Sequence, residues 1–257
     1  MPRVKLIAVS RPLTGNDPRR LVVLAVKVSS GKLHERDAEH YLSGDYSDRD
    51  VSQHIVKAWA YPSVLEHVVF TFLIEDISRV CSHQLVRHRI ASYTQESQRF
   101  SESYMARALK LVEEALRSRG IEVSGPRHVL IEEFLRVASR SEIVSVCREA
   151  FVIPPRIDDD SAEALCRSLI SSIARYYELV DIRGARLEDA RFVVPQAVKT
   201  RILVTMNLRE LIHVACLRLR PEAQWEIREV VRAMVEEAKN VVPEIEALID
   251  RMCVAER

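Results

Sequence analysis

The run Val68-Val69-Phe70-Thr71-Phe72-Leu73-Ile74 limits what this chain can fold into more than any other stretch. It is rich in β-branched and aromatic residues and predicts a buried strand. A buried strand needs sheet neighbours, and residues 4–9 and 198–206 are apolar enough to supply them. Residues 21–28, Leu-Val-Val-Leu-Ala-Val-Lys-Val, suit a strand or a short helix, because so short a run has no decisive period. Elsewhere apolar residues recur at helical spacing. Helices are expected at 50–60 (capped by Asp50), from Ser78 into an Arg-rich segment, and at 102–119, 126–150, 158–179 and 208–217. A short one at 188–194 stops at Pro195, and a long one from Glu222 breaks near Pro243. The resulting fold class is α/β, a single domain over residues 1–257 with a central mixed or antiparallel sheet flanked by several long helices.

Composition narrows the function. With 257 residues, 47% of them hydrophobic, the chain can bury a sizeable core. A net charge of only +1 argues against a protein that lives on nucleic-acid backbone, so any basic character must be local. No apolar run approaches a membrane span, and Met1-Pro2-Arg3-Val4-Lys5 lacks a signal-peptide pattern, so a cytoplasmic protein is expected. Five scattered cysteines contain no C-x-x-C pair, and the expectation is buried inert thiols rather than a metal site or a disulfide framework. Asp158-Asp159-Asp160 suits a helix start, complementing the dipole, better than a metal; no metal site is expected. The six glycines build neither G-x-G-x-x-G nor a P-loop, which rules out a dinucleotide held in the Rossmann manner.

Chemistry concentrates at Arg87-His88-Arg89, followed seven residues later by Ser97 and then Arg99. A solvated basic turn is one reading. The other is an anion site, in which guanidinium forks and a hydroxyl hold phosphate oxygens. Ser97 has no evident His-Asp pair to activate it and suits hydrogen bonding rather than nucleophilic attack. Asn207 is placed to cap a helix, to bind a ligand, or both. His67 and Trp225 read as structural, Trp225 as core.

The spacing Arg-His-Arg, seven residues, Ser-x-Arg resembles the signature of the flavin-dependent thymidylate synthases. Ser63-Val64-Leu65-Glu66-His67 upstream, and downstream Arg191, Pro195, Thr205-Met206-Asn207-Leu208-Arg209, His213, Leu217-Arg218 and Ala223 to Arg228, follow that family's pattern in order. Tyr61 stands where many members have His, and His213 where some have Asn. The resemblance implies reductive methylation of dUMP to dTMP, with methylenetetrahydrofolate as carbon donor and hydride from FAD that NADPH regenerates. It also implies a homotetramer with sites shared between subunits.

By position, Ser63, Arg87, His88, Arg89, Gln95, Asn207, Arg209 and His213 are implied for FAD. Gln84, Arg87, Gln95, Glu96, Ser97, Gln98, Arg99, Arg191 and Arg218 are implied for dUMP, with Ser97 and Arg99 at the phosphate and Arg218 at the uracil as the catalytic residue. A non-catalytic nucleotide- or flavin-binding relative and an RNA-binding module are the competing expectations. The balanced charge weakens the second of these.

Overall fold

A computed structural model describes residues 2–44 and 46–255. In chain order it contains β1 (Arg3–Val9), α1 (Arg19–Ser29), α2 (Ala38–Leu42), α3 (Asp48–Lys57), β2 (Val69–Ser78), α4 (Arg79–Leu85) and β3 (Ala91–Gln95). Then come α5 (Ser103–Arg117), α6 (Arg127–Val137), α7 (Arg140–Ala150), α8 (Asp159–Tyr177) and α9 (Leu187–Ala190). β4 (Lys199–Asn207), α10 (Leu208–Arg218), α11 (Trp225–Lys239) and α12 (Ile245–Ala255) complete it. The fold is α/β, with a four-stranded antiparallel sheet in the order β1-β2-β4-β3 flanked by helices.

By their contacts the residues form two compact units. The first comprises Met1–Glu75, His83–Thr94 and Ile202–Arg257. Its core is organised on β2 and β4, whose alternation buries Phe70, Phe72 and Ile74 on one strand and Ile202, Val204 and Met206 on the other. Thr71 and Thr205 hydroxyls meet at 3.0 Å on the opposite face. β1 pairs antiparallel with β2 and shifts register between Leu6 and Ala8. Leu6 N–H there donates to the Glu237 carboxylate on α11 at 3.0 Å. Ile227, Val230, Val231 and Met234 give α11 its buried stripe. The second unit comprises Asp76–Ser82 and Gln95–Arg201, and packs α5 to α8 around Leu116, Phe134, Ile143, Ile173, Tyr176 and Tyr177.

Of the two forms open to residues 21–28 the helix is the one observed: they lie within α1, where Val22 and Val23 are fully buried. Buried Arg20 anchors it by donating to the Ser43 and Tyr46 carbonyls and the Asp48 carboxylate. Other expectations are corrected. α3 is capped by Ser47, whose hydroxyl accepts from Asp50 N–H at 3.2 Å; Asp50 is inside the first turn. The expected 126–150 helix is two, because Ser139 and Glu142 form a capping box that starts α7 afresh. α8 passes into a π-helical turn over Glu178–Ile182. β3 occupies the stretch between the basic triplet and Ser97, for which the apolar pattern indicates no strand. Trp225 is half-buried at the first position of α11 rather than in the core. The break near Pro243 falls between α11 and α12, as the proline predicts.

The cysteines divide. Cys81, Cys147 and Cys166 are buried free thiols as expected, but Cys216 and Cys253 form a disulfide between α10 and α12, with Cα atoms 5.1 Å apart and a sequence separation of 37. The missing sequence signal is physical: a single bridge between two helices needs no local Cys spacing. Among the described residues no helix is long and apolar enough to cross a membrane.

Candidate functional site

The basic triplet is a turn between α4 and β3. His88 N–H closes it on the Leu85 carbonyl at 3.1 Å. The Tyr93 hydroxyl on β3 ties it down, 2.7 Å from the His88 carbonyl oxygen and 3.0 Å from that of Leu85. Burial, and then the Glu210 charge, push the Tyr93 phenol up, so it stays a neutral donor. The turn sends the triplet in alternate directions: His88 is buried and Arg87 and Arg89 are exposed on either side.

α10 faces this turn. Asn207 starts the helix, its Oδ1 accepting from Glu210 N–H at 2.8 Å. From that cap, Arg209, His213 and Leu217 follow at i, i+4 and i+8 along one face, and Arg218, the last residue of the helix, lines the same cavity together with Arg87, His88 and Arg89. The cavity is about 680 Å³. Its apolar lining includes Trp59, Pro62, Ile90, Leu217 and Met252, and its carboxylates are Glu66 and Glu210. Arg209 is ion-paired with Glu66. Arg218 Nε–H donates to His88 Nε2 at 3.0 Å, so His88 accepts through that nitrogen and is neutral. Burial first, then Arg218 and His213, push His88 down to about 4. The two imidazoles lie edge to face, 6.3 Å between centroids.

Seven of the expected residues therefore share one cavity: Arg87, His88, Arg89, Asn207, Arg209, His213 and Arg218. Ser63 lies elsewhere in the same unit, in a groove of about 380 Å³ with His67, Val64 and the α1 side chains Leu21, Leu24 and Val28. Gln84 is half-buried on α4.

Gln95 to Arg99 and Arg191 belong to the second unit and form a cluster of their own. Gln95 Nε2 donates to Ser82 and Thr200 hydroxyls at 2.8 and 3.2 Å. Glu96 is engaged by Arg201 at 3.0 Å and by the Ser101 and Ser103 hydroxyls. Ser97 Oγ accepts from Arg99 N–H at 3.2 Å, and Arg99 pairs with Glu188 at 2.8 Å. Arg191 Nε–H donates to the Glu188 carbonyl at 3.0 Å. Sequence reasoning missed Arg79, which donates to Gln98 Oε1 at 3.2 Å and whose pKa is lowered by burial and then by Arg191. Two guanidiniums in a partly buried place raise each other's electrostatic cost, which is why the Arg79 pKa falls. The one available signal was an Arg at the junction of a buried strand and a helix.

Residues 7–244 match the family model of the thymidylate synthase complementing protein. The chain belongs to the flavin-dependent thymidylate synthases. It is 40% identical over 254 residues to the flavin-dependent thymidylate synthase of Aeropyrum pernix, covering 93% of this chain and 76% of that protein. To the flavin-dependent thymidylate synthase of Pyrococcus furiosus it is 44% identical over 195 residues, covering 74% of this chain and 64% of that one, just under two thirds. Its fold is that of thymidylate synthase X from Helicobacter pylori, a structure with FAD and dUMP, at a TM-score of 0.68 and 19% identity over 98% of this chain and 99% of that one. The UMP/dUMP methylase PolB from Streptomyces cacaoi, bound with 5-Br dUMP, shares the fold at a TM-score of 0.65 and 22% identity, with coverage of 96% and 94%.

Proposed function

We propose that this flavin-dependent thymidylate synthase converts dUMP to dTMP with methylenetetrahydrofolate as carbon donor and NADPH as the source of reducing equivalents. On this reading it holds FAD, works in the cytoplasm on small molecules rather than nucleic acid, and is a homotetramer whose sites are each assembled from more than one chain. The observation that carries the reading is the convergence of Arg87, Arg89, Arg209 and Arg218 with neutral His88 on one cavity with apolar walls.

The donor set fits FAD. A pyrophosphate needs fixed cations, and Arg87, Arg89 and Arg209 offer them; Trp59, Ile90, Leu217 and Met252 offer apolar surface for an isoalloxazine ring. Asn207 and His213 add polar groups for its edges. When bound, FAD supplies hydride chemistry. The protein's own part is to bind, orient and stabilise charge. Arg218 spends Nε on His88, which fixes the guanidinium plane and leaves its terminal donors for the uracil edge. There it stabilises negative charge as it builds on the ring, an electrostatic role that needs a permanently protonated group. Neutral His88 adds no like charge beside it. Gln84, Arg191 and the segment Gln95 to Arg99 hold dUMP, with Ser97 and Arg99 on the phosphate; Arg99 then exchanges Glu188 for phosphate oxygens.

The test is conversion of dUMP by the purified chain with FAD, methylenetetrahydrofolate and NADPH, followed by chromatography of the nucleotides. Appearance of dTMP that requires the folate supports the reading. Flavin binding without any dTMP points to a non-catalytic relative.

A further inference from the structure

The disulfide frames the cavity without belonging to its chemistry. Cys216 adjoins Leu217 on α10, and Cys253 adjoins Met252 on α12; Leu217 and Met252 both line the cavity. Packing shows what the bond holds. Ile245 and Leu248 are fully buried and dock the first half of α12. After Leu248 the burial gives out: Ile249 and Met252 are half-buried, Asp250 and Arg251 are exposed, and Val254 is 70% exposed. The Arg251 guanidinium lies 5.9 Å from the centroid of Trp59, whose ring is itself 41% exposed, so that contact is weak. A helical segment with so little buried apolar surface opens locally at small cost. The covalent bond is the strongest tie on the segment that carries Met252.

We propose that Cys216–Cys253 is a thiol–disulfide modification site that sets how firmly the cavity is walled. Oxidised, it pins the segment after Leu248; reduced by a dithiol, it releases that segment and speeds exchange of the bound flavin. The flavin part rests on the reading that this cavity holds FAD. Cys216 is 3% exposed while Cys253 is half-buried, so attack falls on Cys253. A thiolate of the dithiol bonds to Cys253 Sγ as the protein S–S bond breaks, and Cys216 leaves as a thiolate that takes a proton from solvent. The second thiol of the reductant then displaces Cys253. Two protein thiols form, and the reductant, having given two electrons to the protein bond, leaves as its own disulfide. Cys81, Cys147 and Cys166 are 0% exposed and do not compete for this exchange.

The experiment uses the FAD-loaded chain in three states: as purified without reductant, reduced with dithiothreitol and alkylated, and as Cys253→Ser. Peptide mass mapping reads the bond, stopped-flow fluorescence reads flavin release, and hydrogen exchange reads residues 249–255. The expected result is a bonded pair in the first state. The other two states should release flavin about fivefold faster or more, with exchange rising most in 249–255. Free thiols at both positions in the unreduced protein overturn the proposal, as do equal release and equal exchange in all three states. A chain that takes up no flavin in any state overturns the flavin part together with the reading beneath it, and the hydrogen exchange still decides whether the bond holds the wall.

Discussion

Arg218 and His88, 130 residues apart in sequence, meet through a 3.0 Å hydrogen bond from guanidinium Nε to imidazole Nε2. The contact joins the end of α10 to the basic turn after α4. It requires a neutral imidazole, because a protonated one has no lone pair to accept with and would face a second cation. Each member thus constrains the other: His88 orients Arg218, and Arg218 helps hold His88 unprotonated.

That mutual constraint makes the fold acid-sensitive in a defined window. The His88 pKa is depressed from 6.5 to about 4 in the folded chain. Between these values the unfolded state binds the extra proton and the folded state does not, so stability rises with pH there. The contribution is whole above about pH 6.5 and is lost as pH falls toward 4, up to about 3 kcal/mol in total. Denaturant unfolding from pH 7 to 4 should show this slope in the wild type and a flatter one in His88→Gln. Equal slopes would contradict the buried neutral imidazole.

Asn207 serves the helix and the cavity, and substitution should separate the two. Asn207→Asp keeps an oxygen that accepts from Glu210 N–H and should change stability by no more than a few tenths of a kcal/mol, whereas Asn207→Ala should cost about 1 kcal/mol. Both should weaken flavin uptake measured by fluorescence quenching. Unchanged affinity in Asn207→Asp would leave Asn207 as a cap alone.

Flavin itself should be visible. The protein is expected to purify yellow or to take up FAD, and Arg209→Ala, which also frees Glu66, should weaken FAD more than riboflavin because only FAD carries the pyrophosphate. Absorbance spectra and titrations with both flavins check this. Equal losses for the two would move Arg209 away from the phosphates.

No thiol is needed for turnover on this account. Cys81, Cys147 and Cys166 are buried, and the other two are bonded to each other. Replacing the three free cysteines by Ala should leave dTMP synthesis measurable. Removing the bridge by Cys253→Ser should lower stability by roughly 2–4 kcal/mol, the scale for a closed loop of this length. Calorimetry under non-reducing conditions measures it.

Much of this architecture could be anticipated from local pattern. β2 was legible because its apolar run is long, and α10 because Asn207 precedes a helical period closed by Arg218. The Arg87, His88 and Arg89 turn was legible because its spacing to Ser97 and Arg99 is distinctive. What escaped depends on partners distant in sequence. α1 carries the same valines a strand would, and the hydrogen bonds from Arg20 to Ser43, Tyr46 and Asp48 accompany its helical form. β3, with Tyr93 as its largest side chain, is too polar to stand out. Arg79 acquires meaning only beside Gln98 and Arg191, and the Cys216–Cys253 bond only once α12 lies on α10.

The most direct test is single-turnover conversion of dUMP by pre-reduced, folate-loaded Arg218→Ala. The variant should still bind FAD, since Arg87, Arg89 and Arg209 remain. Its methylation rate should fall by about 10²–10³, the loss typical of removing one preorganised donor from developing charge. A rate within a few-fold of wild type would contradict the account and leave Arg218 as a partner of His88 and nothing more.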